Sequence, residues 1–557
     1  MRALVLLTVA AAACAADGSY GDYSGAPSAD AGTGGGGNVP GCLSSNECPA
    51  GYVCNDFGRC EMPSPMGDAG VPPPPEVEYE VGQPFSSQRF VYVPMTDQDE
   101  LVRIDGATLE VISTAVGDQP REVATIPGSD GAMVLDSTNG TATIVRPSGG
   151  TDSIKVLPTL QRLNRLDIDP SGRFAVIWFD LAKALSQGSV FGFGSFQDVT
   201  VIRLAQGNEK AVNLTVGFRP KQVQFDAAGN RAYVITEDGV SVIHLGFATD
   251  NTATIVPPIP VLDPTGSTTD VEINIVSTGE YAVIRQGQAS ALRVVNVGSN
   301  PGNGWTVPLA SPATDIDLAP DGSRVFAVER AAKKLAIIDI PDDAVNPAGI
   351  DTIDLTNATL GSLVLSRDGK RGLLFTNATT DERITLIKLD TPGFPISTWT
   401  LRKSVRAVGI APTSDTALLI NAKTAGDPGT ATNFDDFVDK SYGYTLLDLA
   451  TGFAKLQITP VDPGAFHYAP DGKKVYVGLD GGDAPTATRA FQVVTAQTGV
   501  VITKALGSPP EAIGILPGAG QAFIAQRHPL GRVSFVDLVS DAVRTVTGFD
   551  LNGQVVQ

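Results

Sequence analysis

Histidine is rare in this chain of 557 residues, and His244, His467 and His528 stand in no H-E-x-x-H or similar metal-binding arrangement. The sequence also lacks a P-loop, a G-x-G-x-x-G fingerprint and a G-x-S-x-G nucleophile elbow. No residues with a recognised catalytic spacing remain. We therefore predict no catalytic residue, no metal site and no cofactor from the sequence.

Basic residues are also in deficit, with 40 Lys and Arg against 60 Asp and Glu and a formal net charge of −20. Binding to nucleic acid requires a basic surface that displaces counterions, and adhesion to an anionic bilayer requires the same charge. The composition therefore argues against a nucleic-acid partner and against membrane adhesion by charge alone. Long apolar runs are missing too. No uninterrupted apolar segment has the roughly 20 residues that a membrane-spanning helix needs.

Cysteine occurs five times, and one copy, Cys14, stands apart from the rest. The chain begins Met1-Arg2 and continues "ALVLLTVAAAA", the organisation of an export signal. Ala11-Ala12-Ala13-Cys14 resembles the lipobox of bacterial lipoproteins, although Ala11 departs from the leucine favoured there. The resemblance implies a signal peptide over residues 1–13 and a lipid on Cys14. The alternative is an ordinary cleaved signal with an incidental cysteine.

The lipoprotein resemblance also implies an address. Asp17 lies beyond the position at which aspartate retains some lipoproteins at the inner membrane. We therefore expect an outer-membrane lipoprotein of the bacterial envelope that faces the periplasm or the cell surface. Residues 14–40 are rich in Gly, Ser and Ala and would form a flexible spacer after the lipid.

A small cysteine-rich module over residues 41–61 follows the spacer. Its cysteines recur at six-residue intervals, at Cys42, Cys48, Cys54 and Cys60. The stretch is too short for a core, and C-x5-C lacks the tight zinc knuckle, so we predict two disulfides with three possible pairings. The pattern resembles short Cys-rich, loosely Dickkopf-like segments of some bacterial lipoproteins, which implies no specific activity. A Pro-rich linker over 62–85 separates the module from the rest.

Residues 86–557 contain repeats. "LDIDPSGRFAVIWFD" from Leu166, "IDLAPDGSRVFAVE" from Ile316 and "FHYAPDGKKVYVGLD" from Phe466 each read as strand, turn and second strand. Copies from Val223 and Leu363 follow the same scheme, and four weaker copies begin at Val123, Val271, Val408 and Ile513. The second and third strands of a copy are apolar on both faces, so each small sheet must lie between two others. Four-stranded repeats of this kind predict an all-β fold, a β-propeller of four-stranded blades.

The strands "RFVYV", "RAYVIT" and "KKVYVGL" resemble the YVTN-type propeller repeat, whose relatives include lactonases and many binding scaffolds. We count about ten units, against four to eight blades in most propellers. One large ring, a ring in which one or two units are not blades, and two rings stay open, and we favour the first. We expect the tail "DLNGQVVQ" to supply the inner strand that the first unit lacks.

Two sets of residues are candidates for ligand binding. Polar residues centred in the inner strands could approach a ligand in the channel or form a hydrated wall, namely Asp167, Gln224, Glu272, Asp317 and His467. The second set lies in or beside long interruptions at 181–197, 422–443 and 480–488, between the second and third strands of the third, eighth and ninth blades. Its members are Trp178, Phe191, Phe193, Phe196, Phe434, Asp435, Asp436, Phe437, Tyr442 and Tyr444.

Loops of this length on a rigid scaffold suit a binding surface, although they could equally cap the ring. The leading hypothesis is a lipid-anchored, non-enzymatic propeller that binds an envelope protein or glycan. The alternative is a propeller enzyme, such as a lactonase or a quinoprotein dehydrogenase, with acidic and histidine groups near the axis.

Overall fold

The computed structural model describes residues 80–187, 196–250, 254–358, 360–484 and 486–549, and the backbone of three two-residue strands. The chain divides into two compact units, Met1–Val77 and Glu78–Gln557. In the first unit Val53–Cys54 pairs antiparallel with Cys60–Glu61. The five cysteine side chains lie outside the described residues, so the signal peptide, the lipid on Cys14 and the disulfides stay predictions.

The second unit is a ring of ten antiparallel sheets that follow one another along the chain, a ten-bladed β-propeller. From the inner to the outer strand, blades 1 to 5 comprise Phe85–Ser86, Phe90–Met95, Glu100–Asp105 and Val111–Ala115; Glu122–Thr125, Ala132–Asp136, Thr141–Ser148 and Thr151–Pro158; Arg165–Ile168, Phe174–Trp178, Asp198–Arg203 and Lys210–Thr215; Gln222–Phe225, Arg231–Ile235 and Val240–His244; Val271–Ile275, Tyr281–Gln286, Ala291–Asn296 and Gly304–Pro308.

Blades 6 to 10 comprise Asp315–Leu318, Arg324–Glu329, Lys334–Asp339 and Asp351–Asp354; Ser362–Leu365, Arg371–Phe375, Arg383–Lys388 and Ile396–Thr400; Val405–Ile410, Thr416–Asn421, Tyr442–Asp448 and Ala454–Thr459; Pro463–Tyr468, Lys474–Asp480, Arg489–Thr495 and Val501–Ala505; Pro510–Leu516, Gln521–Gln526, Arg532–Asp537, Val543–Thr547 and Val555–Val556. The predictions of a propeller fold and of about ten units are confirmed.

Helices are few and short. They are Leu181–Ser186, Leu245–Asp250, Asp342–Val345 and Phe434–Lys440, with 3-10 turns at Pro347–Gly349 and Pro428–Thr430. Within the described residues, none is long and apolar enough to cross a membrane. The helix Leu245–Asp250 follows the third strand of blade 4, the blade whose sheet has three strands.

The antiparallel order gives the ring two different faces. The turns after the first and third strands of each blade lie on one face, which we call the turn face. The connections after the second strand, and those that lead to the next blade, lie on the other, which we call the insertion face. Every long interruption predicted from the sequence therefore belongs to the insertion face.

The core lies between neighbouring blades. All residues of the second strands Phe174–Trp178 and Thr416–Asn421 are buried, as their two-sided apolar pattern predicts. Side chains of adjacent blades interlock, as where Val176 and Val201 of blade 3 pack with Val234 of blade 4. Full burial of one such side chain is worth roughly 1.5–3 kcal/mol, so the repeated contacts supply most of the stability of the ring.

The tyrosines of two "YV" strands join their blades to the next blade. Tyr233 Oη of blade 4 donates to the Gly279 carbonyl in a turn of blade 5 at 2.7 Å, and Tyr92 of blade 1 likewise donates to the Asp130 carbonyl of blade 2. Burial raises the pKa of Tyr233 to about 12. Gly279 has a φ of +75°, and a Cβ there would lie 2.1 Å from Tyr233 Oη, so only glycine fits this approach.

Ring closure differs from the sequence prediction. Blade 1 has its own inner strand, since Phe85 stands opposite Tyr92, and Val555–Val556 instead pairs with the outer strand of blade 10. The prediction that the tail closes the ring as the inner strand of blade 1 is therefore wrong. Blades 1 and 10 meet through apolar side chains and a hydrogen bond from the Gly518 N–H to the Gln88 carbonyl at 2.8 Å.

Candidate functional site

The insertion of blade 8, residues 422–441, is the candidate that the structure describes in most detail. It contains the 3-10 turn Pro428–Thr430 and the helix Phe434–Lys440. Asn433 caps the helix, because its side chain accepts from the Asp436 N–H at 2.9 Å. Asp436 also forms an ion pair with Lys440 at 2.9 Å, which lowers the pKa of Asp436. Negative charge at the start and positive charge at the end match the helix dipole.

One buried lysine fixes this helix to the ring. Lys403, just before the inner strand of blade 8, is only 2% exposed. Its Nζ donates to the carbonyls of Val438 and Asp439, at 2.6 and 3.0 Å. Burial lowers the pKa of Lys403, while the charges of Asp439 and Glu382 oppose that shift. A cation at the C-terminal carbonyls of a helix is favourable, so Lys403 secures the end of the insertion.

Two phenylalanines stand on the outside of this fixed helix. Phe434 is 76% exposed and Phe437 is 38% exposed, and their spacing of three puts them on one side of the helix. Asp435 is exposed beside them, while Val438 turns inward and is buried. Aromatic rings held in the open on a rigid element, with carboxylates around them, are typical of a protein-binding surface. We call Phe434, Asp435 and Phe437 the blade 8 aromatic surface.

The two tyrosines near this insertion, Tyr442 and Tyr444, are at least partly buried and contact other parts of the ring. Tyr442 is half-buried, with Lys423 Nζ at 4.9 Å from its ring centroid. Tyr444 belongs to the third strand, is fully buried, and donates through its Oη to Gln492 Oε1 of blade 9 at 2.8 Å. The binding candidate Tyr444 is therefore a buried strand residue, because the strand begins at Tyr442 and its alternate residues face blade 9.

The insertion of blade 3 lies on the same face, five blades away in either direction. Phe196 packs against Phe179 and Phe218, with ring centroids 5.8 and 6.5 Å apart. Trp178 is buried in the core, where its Nε1 donates to Asp167 Oδ2 at 2.6 Å. Phe191 and Phe193 lie outside the described residues, so their role stays a prediction.

The inner-strand candidates mostly bond within the ring. Gln224 bridges to blade 5, because its Nε2 donates to the Ile273 carbonyl at 3.0 Å and its Oε1 accepts from the Ile275 N–H at 2.8 Å. Burial raises the pKa of Asp167, whose carboxylate accepts from Trp178. The Gln224 side chain therefore completes hydrogen bonds of the inner-strand edge of blade 5, a role that the sequence did not predict.

Two further inner-strand residues, Glu122 and Asp315, act in the same way although the sequence did not single them out. Asp315 Oδ2 accepts from the Leu363 N–H at 2.9 Å, and Glu122 Oε1 from the Leu166 N–H at 3.3 Å. In each case a side chain of one blade reaches the backbone of the next. The sequence signal that could have identified these contacts is an acidic residue at the start of an inner strand.

The other three channel candidates have three different environments. Glu272 forms an ion pair with Arg285 at 3.3 Å, and Asp317 is half-buried in the inner strand of blade 6. His467 is exposed, and its Nδ1 donates to the Tyr468 carbonyl at 2.8 Å. Within the described ranges, no three or more His, Cys, Asp or Glu side chains are placed to hold a metal ion. Whether these residues bind a ligand stays a prediction.

Comparisons with known proteins find no matching family profile and no similar curated protein. Among solved structures, Kuenenia stuttgartiensis hydrazine synthase shares 15% identity over 53% of this chain and 98% of its own, with a TM-score of 0.31. Dihydro-heme d1 dehydrogenase NirN in complex with DHE shares 13% over 76% and 74%, with a TM-score of 0.41. A eukaryotic initiation factor shares 11% over 77% and 96%, with a TM-score of 0.45. Likenesses this distant carry no argument about function.

Proposed function

We propose that this chain is a non-enzymatic binding protein of the bacterial cell envelope, which holds a protein partner on the blade 8 aromatic surface. The observation that carries the proposal is the exposure of Phe434 and Phe437 on a helix fixed by Lys403. Exposed aromatics on a rigid element lose little conformational entropy on binding, which makes them effective anchors. Ring and insertion together then act as a scaffold with a preformed contact surface.

The proposal also specifies the chemistry of the partner. Asp435 lies beside the two rings, and the whole chain carries a net charge of −20. A partner surface with an apolar groove and a basic rim would complement these groups, because opposite charges steer association and apolar burial supplies affinity. The N-terminal segment completes the proposal, with a lipid on Cys14 and the spacer over 14–40 as the tether to the membrane.

A photo-crosslinking experiment tests the binding surface. Phe434 is replaced by p-benzoylphenylalanine in the native bacterium, and adducts are compared with those from the same replacement at Phe453. Phe453 is a matched control because it is 69% exposed and lies in the same blade, on the turn face. We expect a discrete protein adduct from position 434 alone. Equal adducts from both positions, or none from 434, would contradict the proposal.

A double substitution, Phe434→Ser with Phe437→Ser, then measures the contribution of the surface to the captured partner. Loss of two anchoring aromatics should weaken binding by about 30-fold or more. Thermal unfolding should barely move, since both side chains are exposed. Fractionation of Cys14→Ser tests the anchor separately, with release from the membrane as the expected result. A metal or quinone in the purified protein would favour the propeller-enzyme alternative.

A further inference from the structure

A cavity of about 370 Å³ opens on the turn face of the ring. Its wall is built by six consecutive blades, 7 to 10 followed by 1 and 2, through the residues after their inner strands. These are Arg367, Pro412, Pro470, Pro517, Gln88 and Pro127. Because six neighbouring blades contribute, the cavity lies beside the ring axis, and its volume is in the range of small-molecule sites.

One turn position recurs in all ten blades, and only one of its ten residues is charged. This position lies in the turn that follows the inner strand. In six blades it is proline, at Pro127, Pro170, Pro320, Pro412, Pro470 and Pro517. Proline suits this position because its fixed φ favours the turn. In the other four blades the residue is Gln88, Ala227, Ser277 or Arg367. Arg367 is thus the one cation among ten equivalent positions, and the turn does not require it.

The charge of the cavity is opposite to that of the chain. Arg367 is exposed, forms no ion pair with any described residue, and shares the cavity with His467. None of the residues that line the cavity is a carboxylate, although Asp and Glu outnumber Lys and Arg by 60 to 40 overall. The adjacent Asp368 is engaged in its own turn, where its Oδ1 accepts from Ser366 Oγ at 2.6 Å.

His467 is oriented by its own backbone. Its Nδ1 donates to the Tyr468 carbonyl, which leaves Nε2 as the ring nitrogen that can meet a ligand. Ile126, Ile515 and the prolines add apolar wall between the polar groups. The cavity therefore offers one guanidinium, one imidazole and flat apolar surfaces.

We propose that this cavity binds a small organic anion, a carboxylate attached to an apolar ring. The Arg367 guanidinium pairs with the carboxylate through two parallel hydrogen bonds, a geometry that lysine could not provide. His467 Nε2 contacts the same end of the ligand, and the ring rests against the proline faces. This site is independent of the blade 8 aromatic surface, because the two lie on opposite faces of the propeller.

Calorimetric titration of the full chain tests the site with three probes, 2-naphthoate, 4-phenylbutyrate and indole-3-acetate, and with 2-naphthamide as the neutral isostere. We expect at least one acid to bind, and its affinity to fall about tenfold or more in Arg367→Gln, since a charged hydrogen-bond pair is lost. Naphthamide should bind more weakly than naphthoate by a similar factor. Arg367→Pro, which introduces the residue of six other blades, should behave like Arg367→Gln with the fold preserved.

The matched control is Arg330→Gln, which removes an exposed arginine from a turn of blade 6 on the insertion face. It should leave the affinity for every probe unchanged. Binding of none of the acids, equal binding of naphthamide and naphthoate, or unchanged affinity in Arg367→Gln would each overturn the proposal. The Phe434→Ser, Phe437→Ser protein should still bind the acids, so failure of one proposal is distinguishable from failure of the other.

Discussion

The turn face and the insertion face of the ring become ordered in different ways. On the turn face, short turns satisfy their own polar atoms, as where Asp321 Oδ1 accepts from Ser323 N at 3.0 Å, and Tyr233 adds one bond to the next blade. On the insertion face, the long insertion of blade 8 is secured by the buried Lys403. Order is thus spread over many small contacts on the turn face, whereas the end of the blade 8 helix on the insertion face depends on one buried side chain.

The largest effect should come from Lys403→Met, which keeps the volume and removes both charged hydrogen bonds to the helix end. We expect about 2 kcal/mol of lost stability, expressed as opening of residues 424–440. Hydrogen exchange of the backbone amides in that range measures it. Lys423→Met is the matched control, because Lys423 lies over the Tyr442 ring and donates to the Gly426 carbonyl at 2.9 Å, away from the helix end. Uniform loss of protection around the whole ring would break the comparison.

A smaller effect should follow from Tyr233→Phe, which removes the bond to the Gly279 carbonyl and costs about 1 kcal/mol in urea unfolding. The effect also has a pH signature. Because the pKa is about 12 in the folded chain and 10 in the unfolded chain, the unfolded chain loses this proton first. The stability contributed by Tyr233 is complete below pH 10 and is lost between about pH 10 and 12. Tyr233→Phe should fall less steeply over that window than the wild type.

The smallest effect should come from Asp321→Ala, which removes the contacts of one turn carboxylate to Ser323. Neighbouring turns are untouched, so we expect about 0.5–1 kcal/mol in urea unfolding. The bonds to Ser323 also lower the pKa of Asp321, so its contribution is present above the unfolded pKa near 4 and is lost on acidification. A loss as large as that of Lys403→Met would show that the turn face, too, depends on single side chains.

Sequence patterns were sufficient to predict the elements whose structure depends on neighbouring residues in the chain. All nine predicted inner strands are present, because each is a short apolar strand that ends in a Pro, Asp or Gly turn. One starts at the predicted residue, five start one residue earlier and three start three residues earlier. The tenth, Phe85–Ser86, was missed because Ser87 and Gln88 follow it without that turn signal. The tail was misplaced because the apolar pair in "QVVQ" suits the edge of any sheet. The helix Leu245–Asp250 was not foreseen, since six residues are too few to show a helical period.

Features that depend on distant partners were out of reach of the sequence. Lys403 stands in the polar stretch "TLRKSV", where a lysine is normally exposed, and its burial depends on a helix 35 residues later. Gln224 was singled out as a polar residue of an inner strand, yet its partners lie 49 and 51 residues away in blade 5. Phe434 and Phe437 were chosen as binding candidates because aromatic residues among aspartates stand out in a long insertion.

Closure of the ring has a genetic consequence. Among the described strands, every blade is a single contiguous stretch of chain, and blades 1 and 10 share no strand. An in-frame duplication or deletion of one complete blade would therefore change the circumference without splitting any sheet. Duplication of whole blades is therefore a direct route to a propeller with more blades than most propellers have. By the same reasoning, new chain ends introduced between any two blades, with the original ends joined, should give a protein that still closes.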